Sequence, residues 1–212
     1  MRKSLVSVGV AAVALIAAVP ASAAVLWDFG QDGSVNDLVG FTLLNNFNAD
    51  SGISSGANYQ IKTNPSDSDG AVLPNGDGSE YLSVLGGGFA TIDFAPGVTE
   101  FAFEWGSIDT YNSLTVLFNN GESLTIVPGG NFTNPANGNQ FDADTNGLFR
   151  VFGSAGETFN SITFASGSNS FEVDNLMVKG AVPEPATWAM MIGGLALVGA
   201  SMRRRKVEIS FA

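Results

Sequence analysis

The sequence predicts an all-β protein, a β-sandwich or jelly roll, and three observations lead to this prediction. Short apolar runs recur at roughly ten-residue spacing through the middle of the chain, separated by Gly, Asn, Ser and Asp. Within the runs, apolar and polar side chains alternate, as a half-buried strand requires. Between residues 24 and 182 no stretch sustains the 3.6-residue period of an amphipathic helix.

Nine runs are predicted as strands. They are 25–29, 80–85, 89–94, 100–105, 114–118, 123–127, 148–152, 161–164 and 171–173. We expect Gly86–Gly88 to join the second and third, and Asn119-Asn120-Gly121 to turn a hairpin. The last two runs are expected to form the closing hairpin, with Asp174-Asn175 at its end. Segment 44–79 is predicted as long loops with a short strand at 59–61.

The run Glu100–Trp105 defines the predicted core most clearly. Its alternation places Phe101, Phe103 and Trp105 inward and both glutamates, Glu100 and Glu104, outward. The chain has sixteen Phe, most of them in these runs, which supply a large core volume.

Composition excludes many activities. The chain of 212 residues has no His and no Cys. It therefore lacks disulfides, thiolate nucleophiles, His general bases and the usual zinc, copper and haem ligands. Nine basic and twenty acidic residues give a net charge of −11, which argues against nucleic acid as a partner.

Charge divides the chain into three units. Residues 1–23 carry +2 and residues 183–212 carry +2. Residues 24–182 hold eighteen acids against Lys62, Arg150 and Lys179, a net charge of −15. The expected organisation is an acidic β domain at 24–182 between two short trafficking segments.

The first segment, residues 1–23, has the pattern of a cleavable signal peptide. Arg2-Lys3 precedes an apolar run from Leu5 to Val19. This run is too short for a membrane-spanning helix, which needs about 20 residues. Pro20 breaks the run, and Ala21-Ser22-Ala23 supplies the small residues that signal peptidase needs. Cleavage is predicted after Ala23, with cleavage after Ala24 as the second choice.

The C-terminal segment has the pattern of a short membrane helix with a basic stop. Trp188–Met202 is apolar except for Ser201, and the cluster Arg203-Arg204-Arg205-Lys206 follows directly. Upstream, Pro183-Glu184-Pro185 disfavours a helix, so this stretch is predicted to be extended and accessible. A short tail, 207–212, ends the chain.

Residues 183–206 resemble the PEP-CTERM sorting domain in motif order and spacing. Pro183, Glu184 and Pro185, then Trp188, then the apolar run and Arg203, Arg204 and Arg205 match that pattern. The tail beyond the basic cluster is longer than is usual in the family. The resemblance implies export through the inner membrane of a Gram-negative bacterium, transient membrane attachment and processing by an exosortase. The alternative is a plain single-span anchor.

A second, looser resemblance concerns the domain itself. Trp105–Leu114 resembles a signature of one group of exosortase-dependent surface proteins, and 159–175 resembles the closing hairpin of that group. The same hairpin also resembles the closing strand of carbohydrate-binding jelly rolls. These resemblances support the fold more than a particular activity.

No cofactor is expected, and calcium is the metal considered. Asp142, Asp144 and Asn146 stand at alternate positions before Gly147, like the first half of a calcium loop. The twelfth position is Gly153 instead of Glu, so an Asx-rich turn is favoured. Further oxygens at 67–70, 75–78 and 174–175 are likewise favoured as solvated turns or caps.

Aromatic and carboxylate residues supply the other candidates. Among Trp27, Trp105 and Tyr111, Tyr111 is the preferred glycan contact, because it lies in a predicted loop while Trp105 faces the core. Glu104 and Asp109 are weighed as a glycosidase pair, but an outward Glu104 predicts an ordinary exposed carboxylate.

These observations favour a secreted, non-enzymatic protein of the cell surface or of an exopolysaccharide matrix such as a biofilm. The second hypothesis is a carbohydrate-binding module, with or without calcium. The third is a polysaccharide hydrolase. The expected partners are signal peptidase, an exosortase-like enzyme and, for the second hypothesis, exopolysaccharide.

Overall fold

The protein is described by a computed structural model. The described residues are 25–31, 35, 38–48, 52–63, 67–71, 73, 78–128, 136–153, 156–180, 192, 194–196 and 198–199.

The described chain is an antiparallel β-sandwich, as predicted. Its ten strands are β1 (Val25–Gln31), β2 (Thr42–Asn45), β3 (Ser55–Lys62), β4 (Tyr81–Asp93), β5 (Val98–Gly106), β6 (Asn112–Phe118), β7 (Ser123–Ile126), β8 (Gly147–Gly153), β9 (Phe159–Ser166) and β10 (Phe171–Gly180). A 3-10 turn, Ala143–Thr145, precedes β8.

The sheet is one curled ribbon with the order β1-β8-β5-β10-β4-β9-β6-β7. It folds back on itself, because Phe103 of β5 contacts Phe164 of β9 at a ring distance of 5.1 Å although the two strands are not neighbours. β2 pairs with β10 and β3 with β4, off the main path. The two halves of the ribbon therefore enclose one core.

Phenylalanine and tryptophan fill this core, as the alternation in β5 predicts. Phe101, Phe103 and Trp105 are all buried. The Trp105 ring stacks on Phe171 of β10 at 4.3 Å, and Phe101 meets Phe159 of β9 edge to face. Burial of such large side chains is the main favourable term in folding, which explains how a chain without disulfides holds this shape.

β4 is one strand of thirteen residues, and the prediction of two strands joined by Gly86–Gly88 is wrong. Its first half pairs with β10, as Leu82 with Val173. Its second half pairs with β9, as Ile92 with Ile162. The glycines lie where the strand passes from one half of the sandwich to the other, so they serve as a bend within a strand.

The predicted closing hairpin is also wrong, because β4 separates β9 from β10 in the sheet. Segment 44–79 contains more structure than predicted. The short strand expected at 59–61 extends over Ser55–Lys62, and Thr42–Asn45 forms β2. These strands are weakly apolar and are held by backbone pairing to β4 and β10.

Asp174-Asn175 does not end the last strand, which continues to Gly180. The register with β5 shifts between Asp174 and Met177, and Asn175 has a φ of 49°. A bulge of this kind adds an extra residue to one strand without ending it, so β10 continues beyond Asp174-Asn175.

Glu104 is not the exposed carboxylate that alternation predicts, since only 2 % of it is exposed. β5 is a central strand, flanked by β8 and β10, and Asn175 of the bulge donates to the Glu104 Oε2 atom at 3.0 Å. Asp174, which stands opposite Glu104 in the register, is buried as well. The face that alternation assigns to solvent is therefore covered at this position.

The two ends of the sandwich differ. Register pairs place Val25 beside Gly153, and Val98 beside Gly180. Both ends of the described strand region thus lie at one end of the sandwich, which we call the terminal end. The opposite end, which we call the loop end, holds the β5–β6 and β9–β10 connections, because Gly106 pairs with Glu172.

Most of the predicted apolar helix 188–202 lies outside the described residues. Within it, residues 192, 194–196 and 198–199 are helical. Along the part of the chain that the structure describes, no helix has the length and apolar content of a membrane crossing.

Candidate functional site

A polar cavity of about 240 Å³ lies at the loop end. Four segments that are distant in sequence line it, within residues 67–71, 107–111, 138–140 and 169–172. All four are connections or strand starts at this end of the sandwich, which explains why they converge.

Hydrogen bonds between segments hold the cavity walls in place. The Tyr111 hydroxyl donates to the Asn169 carbonyl oxygen at 2.8 Å. The Asn169 side-chain amide donates to Asp69 Oδ1 at 3.0 Å, and the Ser107 backbone N–H donates to Asn146 Oδ1 at 2.8 Å. These bonds tie three of the lining segments together and form a preorganised site, which lowers the ordering cost of binding.

Glu172, at the start of β10, is the buried acid of the cavity and is 2 % exposed. The Ser107 hydroxyl donates to its Oε2 atom at 2.6 Å, and the Ala71 N–H donates to Oε1 at 3.1 Å. The Ser170 hydroxyl also donates to Oε1. Burial raises the pKa of Glu172 above its ordinary range, and these donors only partly oppose that shift.

Asp109 and Tyr111, in the β5–β6 connection, also line the cavity. Burial raises the pKa of Asp109, and the neighbouring Tyr111 hydroxyl only partly opposes that shift. Burial and the neighbouring Asp109 carboxylate raise the pKa of Tyr111. Gly138 permits this arrangement, because a Cβ there would lie 2.8 Å from the Asp109 Cγ atom.

Asp67 is the third acid of the lining and is exposed. It pairs with Lys62 of β3, and the hydrogen bond from Lys62 lowers the pKa of Asp67. Asp67 is therefore the acid of the cavity that already has a cationic partner.

A cavity with convergent polar groups and buried, shifted carboxyls is the usual setting of a binding or catalytic site. Its chemistry here is hydrogen-bond acceptance by carboxylates and amide oxygens, with hydroxyl donors between them. Such walls suit a small polar ligand that donates hydrogen bonds.

A larger cleft of about 710 Å³ lies at the terminal end, between β1 and the β6–β7 hairpin. Trp27 lines it together with Val25 and Leu124. The acid that lines this cleft, Glu122, is exposed, whereas the loop-end cavity contains the buried Glu172, so we take the cavity at the loop end as the candidate site.

The three glycan candidates are separated by the structure. Tyr111 lines the loop-end cavity, Trp27 lines the terminal-end cleft, and Trp105 is core, as predicted. Tyr111 remains a prediction as a glycan contact.

The predicted calcium residues act on the local backbone. Asp142 Oδ1 caps the 3-10 turn by accepting from the Asp144 N–H at 3.1 Å. The Asn146 amide donates to the carbonyl oxygens of Asn139 and Asp142, both at 2.8 Å. Among the described residues no group of three or more His, Cys, Asp or Glu is arranged to hold a metal ion.

The proposed carboxylate pair of Glu104 and Asp109 does not share the cavity. Asp109 lines it, whereas Glu104 lies in the sheet against Asn175. Of the other acidic turns, 67–70 contributes to the cavity wall, and 75–77 lies outside the described residues.

Sequence reasoning missed Glu172, Ser107 and Ser170. Glu172 stands between Phe171 and Val173, where alternation assigns it to solvent. The one signal in the sequence is that an acid interrupts an apolar closing strand, which is insufficient to place it in a cavity.

The sorting residues Pro183, Glu184, Pro185, Trp188, Arg203, Arg204 and Arg205 lie outside the described residues, as do Ala21, Ala23 and Ala24. Residues 181–206 match the family model of the PEP-CTERM protein-sorting motif. The match begins directly after Gly180, the last residue of β10. The chain therefore carries a PEP-CTERM sorting motif, as the resemblance predicts.

Several solved structures are similar to this chain. The carbohydrate-binding module CsCBM6-3 of Clostridium stercorarium, solved with cellobiose, is 16 % identical over 66 % of this chain and 93 % of that chain, with a TM-score of 0.35. The family 11 module of the cellulase Lic26A-Cel5E of Clostridium thermocellum is 16 % identical over 70 % and 99 %, with a TM-score of 0.30. No curated protein matches the chain in sequence.

Proposed function

We propose that this chain is a secreted, non-enzymatic surface or matrix protein that an exosortase-like enzyme processes near Pro183-Glu184-Pro185. The observation that carries the proposal is the match to the sorting motif at 181–206, which follows β10 without a spacer. The signal-peptide pattern at 1–23 supplies export through the inner membrane, and the sorting segment then delivers the domain to the surface or matrix of a Gram-negative cell.

The arrangement of the domain suits display. Val25 and Gly180 lie at the terminal end, so both trafficking segments are attached there. The cavity opens at the loop end, away from the attachment point. A chain without His or Cys also lacks the commonest catalytic nucleophile pairs.

Replacing Pro183, Glu184 and Pro185 by alanine tests the processing step. In the native host, we expect the variant to keep its C-terminal segment, because the enzyme no longer recognises it. Intact-mass spectrometry checks this, and Thr187→Ala is the matched control that is processed normally. Loss of the same segment from the triple variant would show that the motif is not the processing signal.

The second candidate function is carbohydrate binding by the mature domain. The specific observation in its favour is Tyr111, an aromatic side chain in the wall of a polar cavity. We expect the mature protein to bind saccharides on a glycan array and Tyr111→Ala to lose that binding. Trp27→Ala, in the other cleft, is the control that keeps it.

Two results would decide against this candidate: no saccharide bound, or equal binding by wild type and Tyr111→Ala. Running the array with and without EDTA separates calcium-assisted from direct binding.

A further inference from the structure

The charged groups that line the cavity are all acidic: Asp67, Asp109 and Glu172. Asp67 is paired with Lys62. Within the described chain, Asp109 and Glu172 take part in no ion pair, and Glu172 is held only by uncharged donors. Two partly or fully buried carboxyls without a cation are costly unless a ligand supplies the charge.

A buried hydroxyl beside the lining also lacks a partner. Tyr81 is 2 % exposed, and its hydroxyl has no hydrogen-bond partner among the described residues. It lies beside Gly70 of the lining, since a Cβ on Gly70 would be 3.1 Å from the Tyr81 hydroxyl oxygen. The cavity acids Glu172 and Asp67 act electrostatically on Tyr81, so this donor lies close to them, and buried polar groups normally have partners.

An exposed aromatic side chain adjoins the cavity lining in sequence. Phe141 is 92 % exposed and directly follows Gln140, which lines the cavity. The Phe141 N–H donates to Asn139 Oδ1 at 3.0 Å, which fixes the local backbone. A large aromatic side chain kept in water beside a polar cavity offers an apolar face to a ligand that is polar at its edges.

Size and charge narrow the ligand class. A volume of about 240 Å³ is below the roughly 300–1,000 Å³ of sites for drug-sized ligands and suits a single sugar unit. The net charge of −15 on residues 24–182 attracts cations and repels uronate or phosphate groups. Tyr111 in the lining and the exposed Phe141, one residue beyond Gln140, indicate a saccharide, and the acidic walls indicate one with a positive charge.

We propose that the cavity binds an amino sugar with a free, protonated amine, whose ammonium group pairs with Asp109 and Glu172 while its ring contacts Phe141. This proposal rests on the carbohydrate-binding candidate function above and adds the class of saccharide. An N-acetylated sugar unit has no positive charge, and a uronate unit carries a negative charge that the acidic walls repel.

Calorimetric titration of the mature protein tests this selection. The probes are a fully deacetylated glucosamine tetramer, its N-acetylated counterpart and a galacturonate tetramer. We expect the glucosamine tetramer to bind at least about tenfold more tightly than the N-acetylated tetramer, since about 1.4 kcal/mol corresponds to tenfold. Galacturonate should not bind, and added salt should weaken glucosamine binding.

Variants locate the site. Asp109→Asn and Phe141→Ala should each weaken glucosamine binding at least about fivefold. Phe141 is exposed, so its variant keeps the fold. Asp93→Asn removes the same charge from an exposed position near the terminal end and is the control with unchanged affinity.

The outcomes separate the inference from the function it rests on. Equal affinity for the two glucosamine tetramers, or unchanged affinity in both cavity variants, would overturn the amino-sugar site while leaving carbohydrate binding in place. Binding to other saccharides on the array but to none of the three tetramers would likewise overturn the amino-sugar site and leave carbohydrate binding in place. Absence of any saccharide binding would overturn both, and binding that EDTA abolishes would indicate a metal site instead.

Discussion

At the scale of single residues, Glu172 is the least expected feature. It is an acid held in a buried position by two hydroxyls and one backbone N–H, with no cation beside it among the described residues. Its raised pKa means that the folded protein takes up its proton more readily than the unfolded chain. The stability that Glu172 contributes is therefore fully present below the ordinary carboxyl pKa and is lost as the pH rises through its raised pKa.

Glu172→Gln should remove this pH dependence. Glutamine keeps the shape and an oxygen acceptor but carries no charge, so its stability relative to wild type should increase with pH. Urea unfolding at about pH 5 and about pH 8 measures this, with an increase of at most about 1.4 kcal/mol for each unit of pKa shift. A constant difference between the two proteins at both pH values would show that Glu172 titrates normally.

The comparison between variant and wild type is needed because Glu100 acts in the opposite direction. Burial alone would raise the pKa of Glu100, but hydrogen bonds from Lys179 and Arg150 outweigh it and lower the pKa. Its contribution is lost as the pH falls through that lowered value. Glu100 is present in both proteins, so its effect cancels in the difference.

Sequence predicts burial well where side chains are apolar and poorly where they are acidic. Phe101, Phe103 and Trp105 are placed correctly by alternation alone. Glu104 follows the same alternation but is buried. The face of β5 that carries Glu104 is covered by the bulge in β10, and no local sequence pattern predicts that bulge. The sequence of a single strand does not show whether the rest of the fold covers both of its faces.

At the scale of elements, the β3–β4 pair joins the two halves of the sandwich. β4 pairs with β10 in its first half and with β9 in its second. Gly88 lies near the change, where a Cβ would overlap the Asn58 carbonyl oxygen and lie 2.8 Å from that of Ala57. Backbone atoms cannot move aside as a flexible side chain can.

Gly88→Ala should therefore disturb the pairing of β3 with β4. We expect a loss of about 1–3 kcal/mol in the free energy of unfolding, measured by urea denaturation. Gly30→Ala, in β1, is the control with a change below about 0.5 kcal/mol, because a Cβ there is 4.0 Å from its nearest neighbour. If the two variants are equally stable, β3 and β4 do not approach at Gly88 as described.

Strand positions are more predictable than strand pairings. The expected Asn119-Asn120-Gly121 hairpin is confirmed, because its turn signal is local and β6 pairs with β7. The expected hairpin of β9 and β10 fails, since β4 lies between them. The same turn residues are compatible with a hairpin or with a crossover connection. Which of the two forms depends on how the other strands of the sheet pair.

At the scale of the whole molecule, the two ends of the sandwich have different roles. The terminal end brings Val25 and Gly180 together, next to the predicted signal peptide and the sorting motif. The loop end gathers four distant segments around the cavity. The sorting motif is local in sequence and could be recognised there, whereas the cavity forms only on folding, so its buried acid Glu172 could not be found from the sequence.

The intact mass of the mature protein, isolated from its native host, tests the central claim most directly. The account predicts a chain that begins at Ala24 or Val25 and ends near Pro183-Glu184-Pro185, so that the apolar run and the arginine cluster are absent. A mature protein that still contains residues 188–206 would contradict exosortase processing, and the chain would then be held by a plain C-terminal anchor.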